Sequence, residues 1–333
     1  MDVKSAEVGA PIQSDFEDAA IRLPLPSSVK PIRVAWRYAI GIAACHLLAL
    51  AAFIPWFYSR TGVVLSIVGI YVFGTLGICL CYHRLLTHRG FVCPKWLEHS
   101  FAILGVCALQ DTPARWVAIH RRHHQHADEQ PDPHSPWVNF FWGHLGWLLV
   151  ENDEDMRRRS AYERYAKDIL RDKFYKQLER YWFVIVIASW LLFFVGGFVA
   201  ELIMGGDLIA ALQFGSSILI WGVFVRTVLG WHIAWSVNSV AHIWGYRNYE
   251  TDENSRNNVF VGLISNGEGW HNNHHAHPRS ARHGHKWWEL DVTWLTIRLL
   301  MLLGLAKRVI VASPSDDPGQ LIRTHGISVT PAE

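Results

Sequence analysis

Four stretches of this chain are long and apolar enough to cross a hydrocarbon core as helices: residues 38–57, 63–81, 181–200 and 208–225. A crossing takes roughly 20 helical residues at about 1.5 Å rise each. The connections within each pair are short. Ser59, Arg60 and Thr61 separate the first two stretches, and Glu201, Met204, two glycines and Asp207 separate the others. The spans therefore read as two hairpins. Half of the 333 residues are hydrophobic and 18% are charged, which excludes a disordered chain or a small secreted disulfide scaffold. The five cysteines, Cys45, Cys79, Cys81, Cys93 and Cys107, form no C-x-x-C pair and read as reduced, buried fillers. A net charge of +2 gives no reason to expect a nucleic-acid partner.

Basic residues set the expected orientation. Lys30, Arg33 and Arg37 precede the first span, Arg60 is the one basic residue in either tight turn, and Arg121, Arg122, Arg157, Arg158 and Arg159 lie between the hairpins. The positive-inside bias then places both termini and the middle segment in the cytoplasm. Residues 1–33 are rich in Asp, Glu, Pro and Ser without a signal-peptide pattern, and read as a disordered cytoplasmic tail. Residues 34–310 form one membrane domain and 311–333 a C-terminal tail. Apolar runs at 101–109, 137–150 and 290–305 read as interfacial helices, an assignment that Trp137, Trp142, Trp147, Trp287, Trp288 and Trp294 fit. The expected fold is an all-α integral membrane protein with four transmembrane helices in two hairpins, a cytoplasmic histidine-rich helical cap and interfacial helices.

Nineteen histidines carry the chemistry, and three clusters stand out: His83 with His88, His120 with His123 and His124, and His271 with His274 and His275. Positions i, i+3 and i+4 of a helix share a face, so the second and third clusters each aim three imidazoles one way. His83 and His88 point about 140° apart on a straight α-helix, so they serve two metals or the helix ends between them. Asn238 and His242 share a face one turn apart, which requires the fourth span to continue as helix beyond the membrane. His83, His88, His120, His123, His124, His242, His271, His274 and His275 make nine candidate ligands. One tetrahedral zinc takes four, and thiolates are absent from the set; nine imidazoles suit two metals with open positions. The other histidines, His46, His99, His126, His134, His144, His232, His277, His283, His285 and His325, read as ordinary polar side chains. His134 and His144 are also candidates for orienting a ligand through its outer nitrogen. Glu268 is either such a partner or a helix-start carboxylate.

These residues resemble the membrane fatty acid desaturases of the stearoyl-CoA type. The boxes H-x-x-x-x-H, H-x-x-H-H and H-x-x-H-H stand in that family's order, and Asp132-Pro133-His134, Gly143-His144-Leu145-Gly146-Trp147 and the segment from Asn238 to Arg247 are similar to its signatures. The likeness covers roughly residues 35–305. It implies that the nine histidines hold two irons and that Asn238 supports an iron-bound water. Gly267-Glu268-Gly269 is similar to the Δ9 branch, and the segment from Pro278 to Trp288 is similar to bacterial and plant enzymes. Ala118-Ile119 replaces the Arg-Asp pair of the animal acyl-CoA enzymes, so the resemblance implies an acyl-CoA or an acyl-lipid substrate.

Removing hydrogen from an unactivated methylene requires oxygen activated at a redox metal, which zinc cannot supply and imidazole-bound iron can. Dioxygen takes four electrons to become two waters and the substrate gives two. The remaining pair must come from a separate donor, a ferredoxin or a b-type cytochrome with its reductase, because the chain has no haem-attachment motif, iron–sulfur cysteine set or dinucleotide fingerprint. Arg121, Arg122, Arg157, Arg158 and Arg159 are candidates either for docking that donor or for holding lipid headgroups. A lipid or alkane hydroxylase or a carotenoid ketolase would use a similar histidine set. A metal transporter would need ligands inside the spans, where only His46 lies.

Overall fold

The computed structural model describes residues 22–152 and 164–312. Among these the chain is helical, with isolated bridges and no strands. In order it forms α1 (Trp36–Leu50), α2 (Arg60–Thr87), α3 (Lys95–Cys107), α4 (Pro113–His126), α5 (Trp142–Gly146, continued by Trp147–Leu149), α6 (Lys173–Ile203), α7 (Leu208–His242), α8 (Val259–Ile264), α9 (His271–Ala276) and α10 (Val292–Leu302). The run Trp36–Phe53, α2, α6 and α7 are long and apolar enough to cross a membrane. Their outer surfaces suit lipid: Phe53 is 85%, Leu192 72% and Ile203 81% exposed. Residues 1–33 and 311–333, the expected tails, lie largely outside the described residues.

The helices are longer than their apolar cores. Extending a formed helix adds a hydrogen bond per residue fixed, so α2 runs to Thr87, past the expected end at 81, and α7 continues beyond 225 to His242, as the shared face of Asn238 and His242 requires. Starts are set by side-chain caps: Ser59 Oγ accepts from Gly62 N at 3.0 Å, Asp172 from Phe174 N at 3.0 Å and Asp207 from Ala210 N at 2.8 Å. From Ile70 to Thr87, α2 winds in wide π turns, and α7 does the same over Ile220–Val225. Such turns are uncommon and concentrate at functional sites.

Glycines let the long helices meet. A Cβ on Gly197 of α6 would lie 3.1 Å from Gly215 Cα of α7, and one on Gly77 of α2 would lie 2.5 Å from Gly105 N of α3. Small residues permit backbone contact of this kind between membrane helices. Neighbours in sequence are not always neighbours in space. α1 and α2 each pack on α7 more extensively than on each other. Ile42 and Cys45 of α1 pack with Ile220, Val223 and Phe224, while Trp221 Nε1 donates to Phe57 O at 2.9 Å and holds the α1–α2 connection. The end of α3 is buried, and its carbonyls are satisfied from α7: Cys107 O accepts from Arg226 at 3.2 Å and Leu109 O from Trp231 Nε1 at 2.8 Å. Arg226 reaches no carboxylate; it lies 4.0 Å over the Phe73 ring and donates to Gly222 O.

The Gly77–Gly105 contact generates a test. Gly77→Ala forces backbone apart and should cost about 1–3 kcal/mol as overpacking, whereas Gly74→Ala, which meets nothing within 4 Å, should be neutral. Size-exclusion profiles of detergent-extracted protein should show a smaller monodisperse fraction for the first variant only.

Candidate metal centre

α2, α4, α7 and α9 deliver the nine histidines to one place, and they divide into two groups. His83, His88, His120, His124 and His274 form one, and His123, His242, His271 and His275 the other, with the ligand atoms of each group within 4.8 Å of one another. In place of one shared aim, each H-x-x-H-H helix straddles both groups. His120 and His124 of α4 enter the first while His123 enters the second; His271 and His275 of α9 enter the second while His274 enters the first. The i and i+4 positions differ by about 40° around a helix and i+3 lies about 60° to the other side, so the split follows from helical geometry. His83 and His88 join the same group. The reason is the wide turn that ends α2, where His88 N bonds His83 O, five residues back, at 3.1 Å.

The nitrogen atoms fit metal ions better than hydrogen bonds. In the first group His274 Nε2 lies 3.0 Å from His83 Nε2 and 2.9 Å from His124 Nε2, which lies 3.1 Å from His120 Nε2. In the second, His271 Nε2 lies 3.0 Å from His242 Nε2 and 3.1 Å from His275 Nε2. Nε2 of His88 and of His123 are buried without a partner. One ring nitrogen holds at most one proton, so these chains cannot all be hydrogen bonds. Several are bare lone pairs, because the outer nitrogen is engaged elsewhere: His83 Nδ1 to Glu268 at 2.5 Å, His123 Nδ1 to Asp132 at 3.0 Å and His242 Nδ1 to Asp128 at 3.0 Å. A carboxylate behind the ring fixes the tautomer that leaves Nε2 free for a metal. With imidazole–metal bonds of about 2.1 Å, an octahedral edge is about 3.0 Å and a tetrahedral one about 3.4 Å. The observed contacts are short enough for several imidazoles of one group to share an ion, and imidazole donors suit iron among other transition metals.

Residues 59–302 match the model of the fatty acid desaturase family. The chain belongs to the fatty acid desaturase family. It is 41% identical over 292 residues to an sn-2 palmitoyl-lipid 9-desaturase of a Nostoc species, covering 87% of this chain and 93% of that protein. It is also 41% identical over 286 residues to an sn-1 stearoyl-lipid 9-desaturase of a Synechocystis species, covering 86% and 83%, and 41% identical over 275 residues to an acyl-CoA 5-desaturase of Anemone leveillei, covering 82% and 79%. It is thus an oxidoreductase of the desaturase kind.

Around the desaturase centre a buried polar frame holds the ligands. Glu268 accepts from Arg84 as well as His83 and from no helix N–H, and Asp291 accepts from Arg84 NH1 at 2.9 Å. The short helix α9 is clamped by its own asparagines: Asn272 Oδ1 accepts from the N–H groups of Asn248 and Tyr249, and Asn273 donates to Glu289 and His283 O. Asp128, Glu253 and His283 were not singled out by sequence reasoning. Asp128 meets His242 across 114 residues, while Glu253 reaches His242 and His283 reaches Glu268 through nearby loops whose irregular path no helical spacing encodes. His134 packs against His123, with centroids 4.4 Å apart. Asn238 lies one turn before His242, half-buried, and its side chain bonds no described residue.

Two of the five arginines lie among the described residues. Arg121 donates to Leu86 O, Thr87 O, Tyr165 O and Asp168, and ties α2 to the start of the segment before α6; Arg122 is buried. Arg157, Arg158 and Arg159 lie outside the described residues.

Burial first, and neighbouring imidazoles next, hold His88, His120, His124, His271, His274 and His275 well below the ordinary histidine range. Burial opposes the charge on Glu268, yet Arg84 and the adjacent histidines keep it ionised far below the usual carboxylate range. A base depressed on folding contributes its stability above its unfolded value, about 6.5, and loses it as pH falls toward the folded value. Metal-free protein should therefore have a lower Tm at pH 5.5 than at pH 7.5, and loaded protein should release metal over the same interval. An unchanged Tm would show that these imidazoles are not buried neutral.

Proposed function

We propose that this desaturase introduces a cis double bond at Δ9 of a fatty acyl chain, with two irons, one in each histidine group. The observation that carries the reading is the pair of convergent nitrogen sets, five and four strong, each with bare lone pairs and outer carboxylates. When bound, iron supplies the activation of dioxygen that removal of two hydrogens from unactivated carbons requires. The chain's own residues do the rest. Glu268, Asp132 and Asp128 hold ligand rings in one tautomer; Arg84, Asn272 and Asn273 lock the elements that carry them. Asn238 stands where its amide can hold a water beside His242, as the family resemblance implies.

Two lipid 9-desaturases among the relatives support the Δ9 position and a lipid-linked chain, and the uncharged Ala118 and Ile119 on α4 agree with that carrier. The Gly267-Glu268-Gly269 motif adds little to regiochemistry. Gly267 has φ +116° against Asp291, and a Cβ on Gly269 would lie 2.2 Å from Gly262 N, so both glycines are demanded by backbone packing. Two hairpins of spans with termini and centre on the cytoplasmic side agree with the basic residues before α1 and between the pairs. A separate ferredoxin or b-type cytochrome supplies the second electron pair, since the sequence carries no motif for a redox group beyond the histidines.

Expression in a host lacking its own desaturase, with lipid mass spectrometry and double-bond mapping, tests the reading. Wild type should yield Δ9-unsaturated chains, and His124→Ala should insert normally yet yield none. A hydroxylated product carrying oxygen from O2, or full activity of His124→Ala, would overturn it.

A further inference from the structure

The buried frame around the five-histidine group reaches the surface where three chain segments meet. Gly90 N donates to Arg84 O at 2.9 Å, and Arg84 Nη1 donates to Ala281 O at 2.7 Å. Ile310 closes the other side: its N donates to Gly90 O at 2.7 Å, and its O accepts from Ala281 N at 2.8 Å. The segments that follow α2, α9 and α10 are thus laced together over Arg84. Packing there is tight, since a Cβ on Gly90 would lie 2.9 Å from Arg279 O. Val92 and Lys307 extend the junction with two backbone bonds of 2.9 Å.

The outer side of this junction is basic. Arg279, Lys307 and Arg308 are exposed, and none of them pairs with a described carboxylate. Arg89 is exposed too and pairs with Asp168, which also pairs with Arg121. Residues 89–95, 164–172, 279–282 and 306–310 hold nine basic side chains against two acidic ones, Asp168 and Asp172. Both aspartates are engaged, Asp172 with Lys95 and His99. The whole chain carries only +2, so the excess is local.

We propose that this junction is the docking surface for the separate electron donor, a small one-electron carrier protein with an acidic face, and that electrons enter through Arg84, Glu268 and His83. This rests on the function proposed above, which needs a second electron pair from outside the chain. The route is bonded throughout. Arg84 donates from Nε and Nη2 to Glu268 Oε1 at 3.1 and 2.8 Å, and Glu268 Oε2 accepts from His83 Nδ1 at 2.5 Å. Two side chains therefore separate the basic junction from a ring of the five-histidine group. Each encounter oxidises one donor molecule by one electron and passes that electron inward. Two encounters, with two protons from water, complete the balance in which CH2–CH2 plus O2 gives CH=CH and two waters.

Exposed, unpaired cations suit a partner that must arrive, give up an electron and leave, because such charges speed the encounter more than they prolong it. Basic residues beside α10 also suit phospholipid headgroups. The continuity beneath them favours the redox partner. Electrons cross bonded, packed atoms more readily than open solvent, and the Arg84 and Glu268 side chains are 0% and 9% exposed. A headgroup site has no use for backbone laced to that dry route.

The test pairs binding with turnover on the full chain in nanodiscs of neutral phospholipid. The probes are an acidic ferredoxin and the acidic haem domain of a b-type cytochrome. Wild type should bind at least one of them, with Kd rising about tenfold between about 50 and about 200 mM salt. Arg279→Glu with Lys307→Glu should weaken that binding about tenfold and lower donor-driven turnover, while single turnover of dithionite-reduced protein keeps the wild-type rate. The corresponding pair of glutamine variants should fall between. Binding of neither probe, or a charge reversal that changes Kd by less than about twofold, would overturn the proposal. So would an equal weakening from Lys176→Glu with Arg180→Glu, at exposed positions of α6 outside the junction. Loss of co-purifying anionic phospholipid with donor binding unchanged would overturn it in favour of headgroups. If dithionite-reduced wild type makes no unsaturated lipid, the proposed function fails, and the binding titration still decides the surface.

Discussion

Nine imidazole nitrogens brought within touching distance, most of them stripped of water, repel unless a cation lies among them. That mutual repulsion is the constraint the rest of the molecule answers. Four of the nine rings are backed by carboxylates, His83 by Glu268, His123 by Asp132 and His242 by Asp128, with Glu253 Oε2 3.6 Å from His275 Nδ1. These anions sit behind the rings, away from the nitrogens that face one another. They fix ring orientation and offset positive charge that neutral imidazoles cannot, without occupying coordination positions. Arg84, whose side chain is fully buried between Glu268 and Asp291, keeps that outer ring from carrying unpaired charge. Removing Arg84 would leave two buried carboxylates without their cation, a change typically worth about 3–5 kcal/mol.

Delivery of the ligands explains the unusual helices. A straight α-helix separates His83 from His88, and the wide turns of α2 reunite them. The extension of α7 to His242 carries a ligand well past the apolar core of its span. The α3–α2 glycine contact and the carbonyl-satisfying Arg226 and Trp231 allow the end of α3 to be buried, where unpaired carbonyls would be costly. The same side chain thus serves two physical ends in this protein. Histidines that converge leave bare nitrogens facing one another, whereas His46, His232 and His144 are laid end to end in a hydrogen-bonded series.

Much of this was legible in the sequence. Apolar run lengths gave the four long helices, and the spacing of the boxes gave all nine histidines that meet in the two groups. Spacing alone treated each box as one face with one aim, and missed that i+3 and i+4 diverge enough to feed different groups. Glu268 read as a candidate partner of a ligand, though not of which ring, and Asp128 was hidden altogether: Glu268 meets His83 across 185 residues and Asp128 meets His242 across 114, and no local pattern encodes such pairs. Nor does polarity in sequence reveal that Leu86, Thr87 and Tyr165 offer carbonyls to receive the Arg121 guanidinium.

The central claim is that two separate histidine groups each hold an iron that desaturation requires. Iron content and turnover, measured together on the same purified protein during stepwise reconstitution from the metal-free state, test it most directly. The account predicts that activity reaches its maximum at two irons per chain and is negligible in protein holding one. Full activity at one iron per chain, or maximal activity with another metal in place of iron, would contradict it.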